Sequence, residues 1–203
     1  MATVNNNWPT PVATDLVKDG WEAIKDLGDA IDTTLGVYSA AGFSKISTNT
    51  FSAVSSFSLP NSTFTSSYVN YRLIFNFIGS ATSNLRMRMR ASGTDETGNS
   101  YYWVYTGQRD TGGNYQYNGS PETSAFIHNL STQTRQHLAF DIFKPQVAEE
   151  TSLTGKGVGS DATSALFMNS TMFLATSTAY DSATFYPGSG TMTGTCYVYG
   201  YKA

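Results

Sequence analysis

The chain has 203 residues, a formal net charge of −3 and a charged fraction of 13%, about half of the roughly 25% typical of globular proteins. So little positive charge provides no basic field that would attract a polyanion, and we expect no nucleic-acid partner. No apolar run reaches the roughly 20 residues that span a bilayer, which excludes insertion into a membrane by a helix.

The first thirteen residues are polar and contain Trp8, Pro9 and Pro11, which predicts an extended arm that orders only when something receives it. Trp8 is a candidate anchor in a partner's pocket, and the alternative is that it folds back on its own domain. The segment lacks the basic start and apolar stretch of a secretory signal, so we expect no export by that route.

Residues 14–35 are predicted to form a helix, with Thr14 or Asp15 as the N-cap. Its apolar stripe recurs at heptad spacing and consists of Val17, Gly20, Ile24, Leu27 and Ile31. A single helix of this length is marginal in water, so the stripe must be covered. Copies of the same helix would form a homo-oligomer, and the chain's own sheet is the alternative cover. The spacing favours the oligomer.

From residue 43 to residue 203 the apolar pattern alternates, which predicts strands. The strong candidates are 68–79, 84–92, 101–106, 134–143, 164–176 and 191–202, and weaker ones lie near 50–58, 115–117, 123–130, 151–158 and 182–186. Gly-, Asn- and Asp-rich turns separate them. Eight to ten strands predict a mainly β fold, an antiparallel, jelly-roll-like β-sandwich of residues 43–203 that follows a segment of residues 1–35.

The sequence contains no recognisable catalytic or metal-binding pattern. His128 and His137 lack accompanying ligands for zinc, and Cys196, the only cysteine, is predicted to be a core residue. The pairs Glu149–Glu150 and Asp95–Glu96 lie in turns and are interpreted as solvated loop ends, and the loop around Asp95 lacks the order of a calcium site. We expect a protein that is not an enzyme and has no cofactor and no metal.

Two groups of residues are candidates for contact with a ligand or partner. Arg86, Arg88 and Arg90 alternate along one strand and should share one face, where solvent and nearby carboxylates, or an acidic partner or anionic glycan, would offset their repulsion.

The second group is aromatic and comprises Tyr101, Trp103 and Tyr105. Side chains of this kind stack on sugars or anchor protein interfaces, although strand alternation allows only the outward half of this region to do so.

Two segments resemble virion surface proteins of tailed bacteriophages, of the head-decoration, fibre and tail-appendage kind: WPTPVATDLVKDGWEAIKDLGDAID and SGTMTGTCYVYGYK. In that group a short mounting helix precedes a jelly roll, and a strand of the form G-T-x-x-G-T-x-x-V-Y-G-Y closes the domain. The segment LRMRMRASGTDETGNSYYW is also similar, although Ser92-Gly93-Thr94-Asp95 replaces the group's usual Asn-Gly-Asp turn.

The resemblance implies a non-enzymatic structural protein on the virion surface, made in the host cytoplasm. It implies docking on major capsid or tail proteins through the arm, including Trp8, Pro9 and Pro11, and through the helix, with a trimer as the oligomer. The alternative function is a receptor-binding adhesin that contacts host-surface glycans, and a depolymerase is the third hypothesis.

Overall fold

A computed structural model describes residues 20–40, 42–160 and 164–201 of the chain. The chain forms two units, Met1–Gly42 and Phe43–Ala203. The first unit contains the helix and the second contains the β-strands, and no described helix is long and apolar enough to cross a membrane.

The described part of the helix, α1, runs from Gly20 to Ala40. The predicted end at residue 35 is therefore wrong. A glycine inside a helix costs only about 1 kcal/mol relative to alanine, which does not by itself end the helix. Gly42, with a φ of 90°, lies between α1 and the first strand, in the left-handed region that glycine adopts readily. The predicted N-cap residues lie outside the described part.

The described residues of the second unit form thirteen strands. They are β1 (Phe43–Val54), β2 (Phe57–Ser58), β3 (Asn70–Gly79), β4 (Ser83–Ala91), β5 (Thr94–Asp95), β6 (Tyr101–Arg109), β7 (Asn114–Glu122), β8 (Ala125–Leu130), β9 (Gln136–Phe143), β10 (Thr151–Ser160), β11 (Ala165–Leu174), β12 (Ser182–Pro187) and β13 (Met192–Tyr201). Every predicted strand region overlaps one of these. The prediction of eight to ten strands is too low, partly because β2 and β5 have two residues each.

The strands form two antiparallel sheets packed as a sandwich. The larger sheet has the order β1-β13-β3-β9-β10-β11-β6-β7, and the smaller has the order β2-β12-β4-β5 with β8 also paired to β4. The order β1-β13-β3-β9 in the larger sheet and β2-β12-β4-β8 in the smaller has the connectivity of a jelly roll. The remaining strands of the larger sheet extend it beyond β9. The predicted sandwich with jelly-roll-like connectivity is confirmed.

The core lies between the sheets and follows the predicted alternation. On β3 the side chains of Tyr71, Leu73, Phe75 and Phe77 are fully buried, and on β4 those of Leu85, Met87 and Met89 are. The ring of Phe75 lies 5.9 Å from that of Phe140 in its own sheet and 4.7 Å from that of Phe185 in the other. Burial of this aromatic cluster joins the two sheets. Cys196 is also buried, as predicted.

Candidate interaction surfaces

The helix α1 exposes large apolar side chains. Its predicted stripe includes Gly20, Ile24, Leu27 and Ile31. Ile24 is 66% exposed, and Trp21 and Leu35, which flank the stripe, are 67% and 57% exposed. Exposed apolar groups of this size on one helix mark a surface that another molecule can cover. Val17, Trp8, Pro9 and Pro11, the other residues predicted for association or docking, lie outside the described residues.

The three arginines of β4 lie on its outer face, as predicted, and two of them meet a carboxylate. Arg86 Nη1 donates to Ser124 Oγ at 2.9 Å and lies 3.8 Å from Glu122 Oε2. Arg90 Nε lies 3.1 Å from Asp95 Oδ1.

Arg88, between these two, has no carboxylate within ion-pair distance in the described part of the chain. Its Nε donates to the Thr123 carbonyl at 3.1 Å, and its guanidinium carbon lies 5.1 Å from the ring centroid of Tyr186. Of the three arginines, Arg88 is therefore the one that no carboxylate of the described residues pairs with.

A polar hollow of about 700 Å³ lies beside Arg88 and Arg90 on the outer face of the five-stranded sheet. Its hydroxyl groups come from Ser55, Ser56, Ser58, Thr94, Thr97 and Thr184. Thr184 Oγ1 donates to Asp95 Oδ1 at 2.7 Å and lies 2.9 Å from Ser58 Oγ. The hollow joins residues from β2, β4, β5 and β12 that are far apart in sequence, so of its lining only the arginines were predicted to contact a ligand.

The prediction that Tyr101, Trp103 and Tyr105 form a contact surface is wrong. Tyr101 and Tyr105 are fully buried and Trp103 is 8% exposed, because the odd-numbered residues of β6 point between the sheets. The backbone N–H of Met89 donates to the Tyr101 hydroxyl at 2.9 Å, and burial raises the pKa of this tyrosine and of Tyr105. Strand alternation leaves Tyr102 and Val104, not the predicted three, on the outer face of β6.

An aromatic surface that the sequence analysis missed lies on the outer face of β13. Tyr197, Tyr199 and Tyr201 alternate with the buried Cys196 and Val198. The Tyr201 hydroxyl donates to Asp141. Burial is the largest cause, and this hydrogen bond the second, of a pKa of Tyr201 that is raised to about 12.

The start of β1 belongs to the same aromatic surface. The ring of Phe43 lies 4.4 Å from that of Tyr201, and the guanidinium of Arg72 lies 5.9 Å from the Phe43 ring. The alternation of tyrosine in TCYVYGY was a signal that could have located this surface.

The two histidines have separate environments. His128 is fully buried, its Nδ1 lies 2.5 Å from the Asn129 carbonyl oxygen, and burial lowers its pKa to about 4. His137 is exposed, and its Nδ1 lies 2.7 Å from Asn76 Oδ1. The neutral His128 ring therefore donates from Nδ1 and leaves Nε2 without a hydrogen-bond partner among the described residues.

The carboxylates singled out in the sequence take part in local contacts. Glu149 Oε2 lies 3.0 Å from Lys144 Nζ, and Glu96 Oε1 accepts from the Gly98 N–H at 2.7 Å. Within the described ranges, no group of three or more His, Cys, Asp or Glu side chains is arranged to hold a metal ion.

Comparisons of the chain with protein families, with characterised proteins and with solved structures found no match.

Proposed function

We propose that this protein is a non-enzymatic structural component of a bacteriophage virion. Its N-terminal arm and helix would dock it on capsid or tail proteins, and its jelly roll would face outward. The observation that carries the proposal is the helix α1, on which Trp21, Ile24 and Leu35 are more than half exposed. Apolar side chains of this size in water favour association with a copy of the chain or with another protein.

The β-sandwich is also consistent with a structural role. It buries its own core of aromatic and aliphatic side chains, which suits a body that stays folded outside the cell. The arm, helix and closing strand resemble tailed-phage surface proteins. This resemblance is the reason for proposing a location on the virion and a trimer as the oligomeric state. A β-branched residue at the Ile24 position with leucine at the Leu27 position otherwise favours a dimer.

The test is incorporation into particles that lack their own copy of the protein. The intact chain, a chain without residues 1–13 and an Ile24→Asp variant are compared for the amount bound per particle. We expect the intact chain to join the particle and both altered chains to be lost from it.

Thermal melting is the control for folding in this assay. Removal of the polar, proline-containing arm should change the melting temperature little. Equal incorporation of all three chains would contradict docking through the N-terminal unit. A large drop in melting temperature on truncation would show that the arm belongs to the folded core.

A second candidate function is a receptor-binding adhesin that contacts host-surface glycans. The observation that favours it is the polar hollow beside Arg88, which offers hydroxyl groups and an uncompensated guanidinium on one open surface. The two functions use different units and can belong to one protein. Adsorption of particles to host cells, measured with and without the Arg88→Gln substitution, tests the second function alone.

A further inference from the structure

The polar hollow has the chemical features of a site for a charged, hydroxyl-rich ligand. Its volume of about 700 Å³ falls within the roughly 300–1,000 Å³ of small-molecule sites. It is an open depression on the outer face of the small sheet, so a ligand can enter without movement of the backbone.

Arg88 supplies the positive charge of the hollow that has no carboxylate partner among the described residues. Its Nε donates to the Thr123 carbonyl and its guanidinium lies over the Tyr186 ring, and these two contacts restrain its orientation. Its two terminal nitrogens have no acceptor among the described residues. A guanidinium with both terminal nitrogens free matches the two oxygens of a carboxylate.

Asp95, which lines the same hollow, supplies an acceptor. Its Oδ1 accepts from Thr184 and lies 3.1 Å from Arg90 Nε, whereas its Oδ2 accepts no hydrogen bond from the described residues. A free carboxylate oxygen accepts hydrogen bonds from hydroxyl groups and repels a second anion. The site therefore suits a ligand that carries a negative group at Arg88 and neutral hydroxyl groups at Asp95.

The charge balance also limits the ligand. Arg88 and Arg90 contribute two positive charges and Asp95 one negative charge, so the hollow has a single positive charge in excess. One carboxylate neutralises it, whereas a polyanion would bring phosphates close to Asp95. The serine and threonine hydroxyls around the rim both donate and accept, as the hydroxyls of a sugar do.

We propose that this hollow binds the carboxylate-bearing unit of an acidic saccharide, with the carboxylate on Arg88 and sugar hydroxyls on Asp95 and the surrounding serines and threonines. The inference deepens the second candidate function, the glycan-binding adhesin, and is independent of docking through the helix. An acidic peptide is the competing ligand, and the hollow offers it no apolar pocket for side chains.

The experiment is a titration of the full chain with methyl β-D-glucuronoside, N-acetylneuraminic acid and methyl β-D-glucoside, followed by saturation-transfer NMR of the sugars. The first two carry a carboxylate and separate uronic acids from sialic acids, and the third is the neutral counterpart of the first. We expect saturable binding of at least one acidic sugar and about tenfold or more weaker binding of the glucoside, since hydrogen bonds to a charged group are the stronger ones.

Arg88→Gln should weaken binding of the acidic sugar by about tenfold or more, because it removes the charge and one arm of the fork. Arg86→Gln is the matched control: it makes the same change on the same strand face outside the hollow, and binding should stay within about twofold. Ser56→Trp, at the exposed rim, would fill the hollow while both arginines are retained, and it should also abolish binding.

Three results would overturn the inference. The first is binding of the neutral glucoside as tightly as the glucuronoside. The second is equal binding of acetate, which would make the hollow a simple anion site, or of tetraglutamate, which would make it a peptide site. The third is acidic-sugar binding that survives both Arg88→Gln and Ser56→Trp. If Arg88→Gln abolishes sugar binding but leaves adsorption to host cells unchanged, the result supports the sugar site and contradicts the adhesin function.

Discussion

The inward face of β10 shows how single residues shape the core. Gly155, Gly157 and Gly159 alternate along this face, where other strands carry large side chains. A Cβ on Gly157 would overlap His128 Nε2, and one on Gly159 would overlap the side-chain amide of Gln136. The glycines therefore make room for two buried polar side chains from β8 and β9.

We expect Gly157→Ala to lower the free energy of unfolding by about 1–3 kcal/mol, as overpacking of a filled core does. Denaturant titration measures this loss. Gly113→Ala is the control, since its Cβ would meet no atom closer than 3.6 Å. Combined with His128→Ala, the same substitution should cost less than the sum of the two single changes. An unaltered midpoint for Gly157→Ala would contradict the close packing.

The buried His128 makes stability depend on pH. Burial lowers its pKa from 6.5 to about 4, so between these values the unfolded chain binds a proton that the folded chain does not. The free energy of unfolding should fall as the pH drops through this window, by about 3 kcal/mol in total, and this contribution is constant above and below it.

Denaturant midpoints at pH 7, 6, 5 and 4 measure the slope. His128→Gln, which has no titrating ring, should flatten it, and His137→Gln at the exposed histidine should leave it unchanged. A slope that persists in His128→Gln would assign the pH dependence to the carboxylates.

At the scale of elements, the period of apolar residues predicted the two faces of the strand β4 correctly, but it did not predict where the helix α1 ends. In β4 the alternation of methionine with arginine predicted both faces correctly, since the period of a strand is two. In α1 the apolar positions were placed on one stripe, but the end of the helix was predicted five residues too early. A glycine lowers helix propensity without a steric barrier to the helical conformation, so Gly36 is a weak stop signal.

We expect the purified protein to sediment as a trimer and Ile24→Asp to sediment as a monomer, because a buried unpaired carboxylate is costly at an apolar interface. Thr33→Asp adds the same charge on the opposite side of α1 and should remain a trimer. The β circular-dichroism signal should be unchanged in both variants. A native protein that is monomeric at micromolar concentration would contradict the predicted self-association. Loss of the β signal in Ile24→Asp would show that α1 is part of the folded core.

At the scale of the whole molecule, the two sheets are held together by aromatic side chains that meet across the interior. Phe75 from the large sheet and Phe185 from the small sheet lie at this junction, and Phe140 stacks against Phe75. Because each sheet covers the apolar face of the other, neither can lose its packing alone, and the sandwich should unfold as one cooperative unit.

Phe75→Ala should therefore lower the free energy of unfolding by about 3–5 kcal/mol, the usual cost of a cavity left by a buried phenylalanine. Phe173→Ala, at a position 47% exposed on the outer face of β11, should cost much less. Near-ultraviolet circular dichroism and tryptophan fluorescence should report a single transition for both variants. Two separate transitions for Phe75→Ala would contradict a joint core.

The sequence by itself determined the class of fold, the location of most strands and the inward faces of β3 and β4, because these depend on a local period of apolar residues. The tertiary structure alone decided the pairing of distant strands, such as β6 with β11, and hence the outer face on which each tyrosine lies. It also decided that Tyr101 and Tyr105 are core residues and that Ser58, Asp95 and Thr184 join the arginines in one hollow. Residues far apart in sequence meet only through strand order, and strand order depends on how the two apolar faces close over one core.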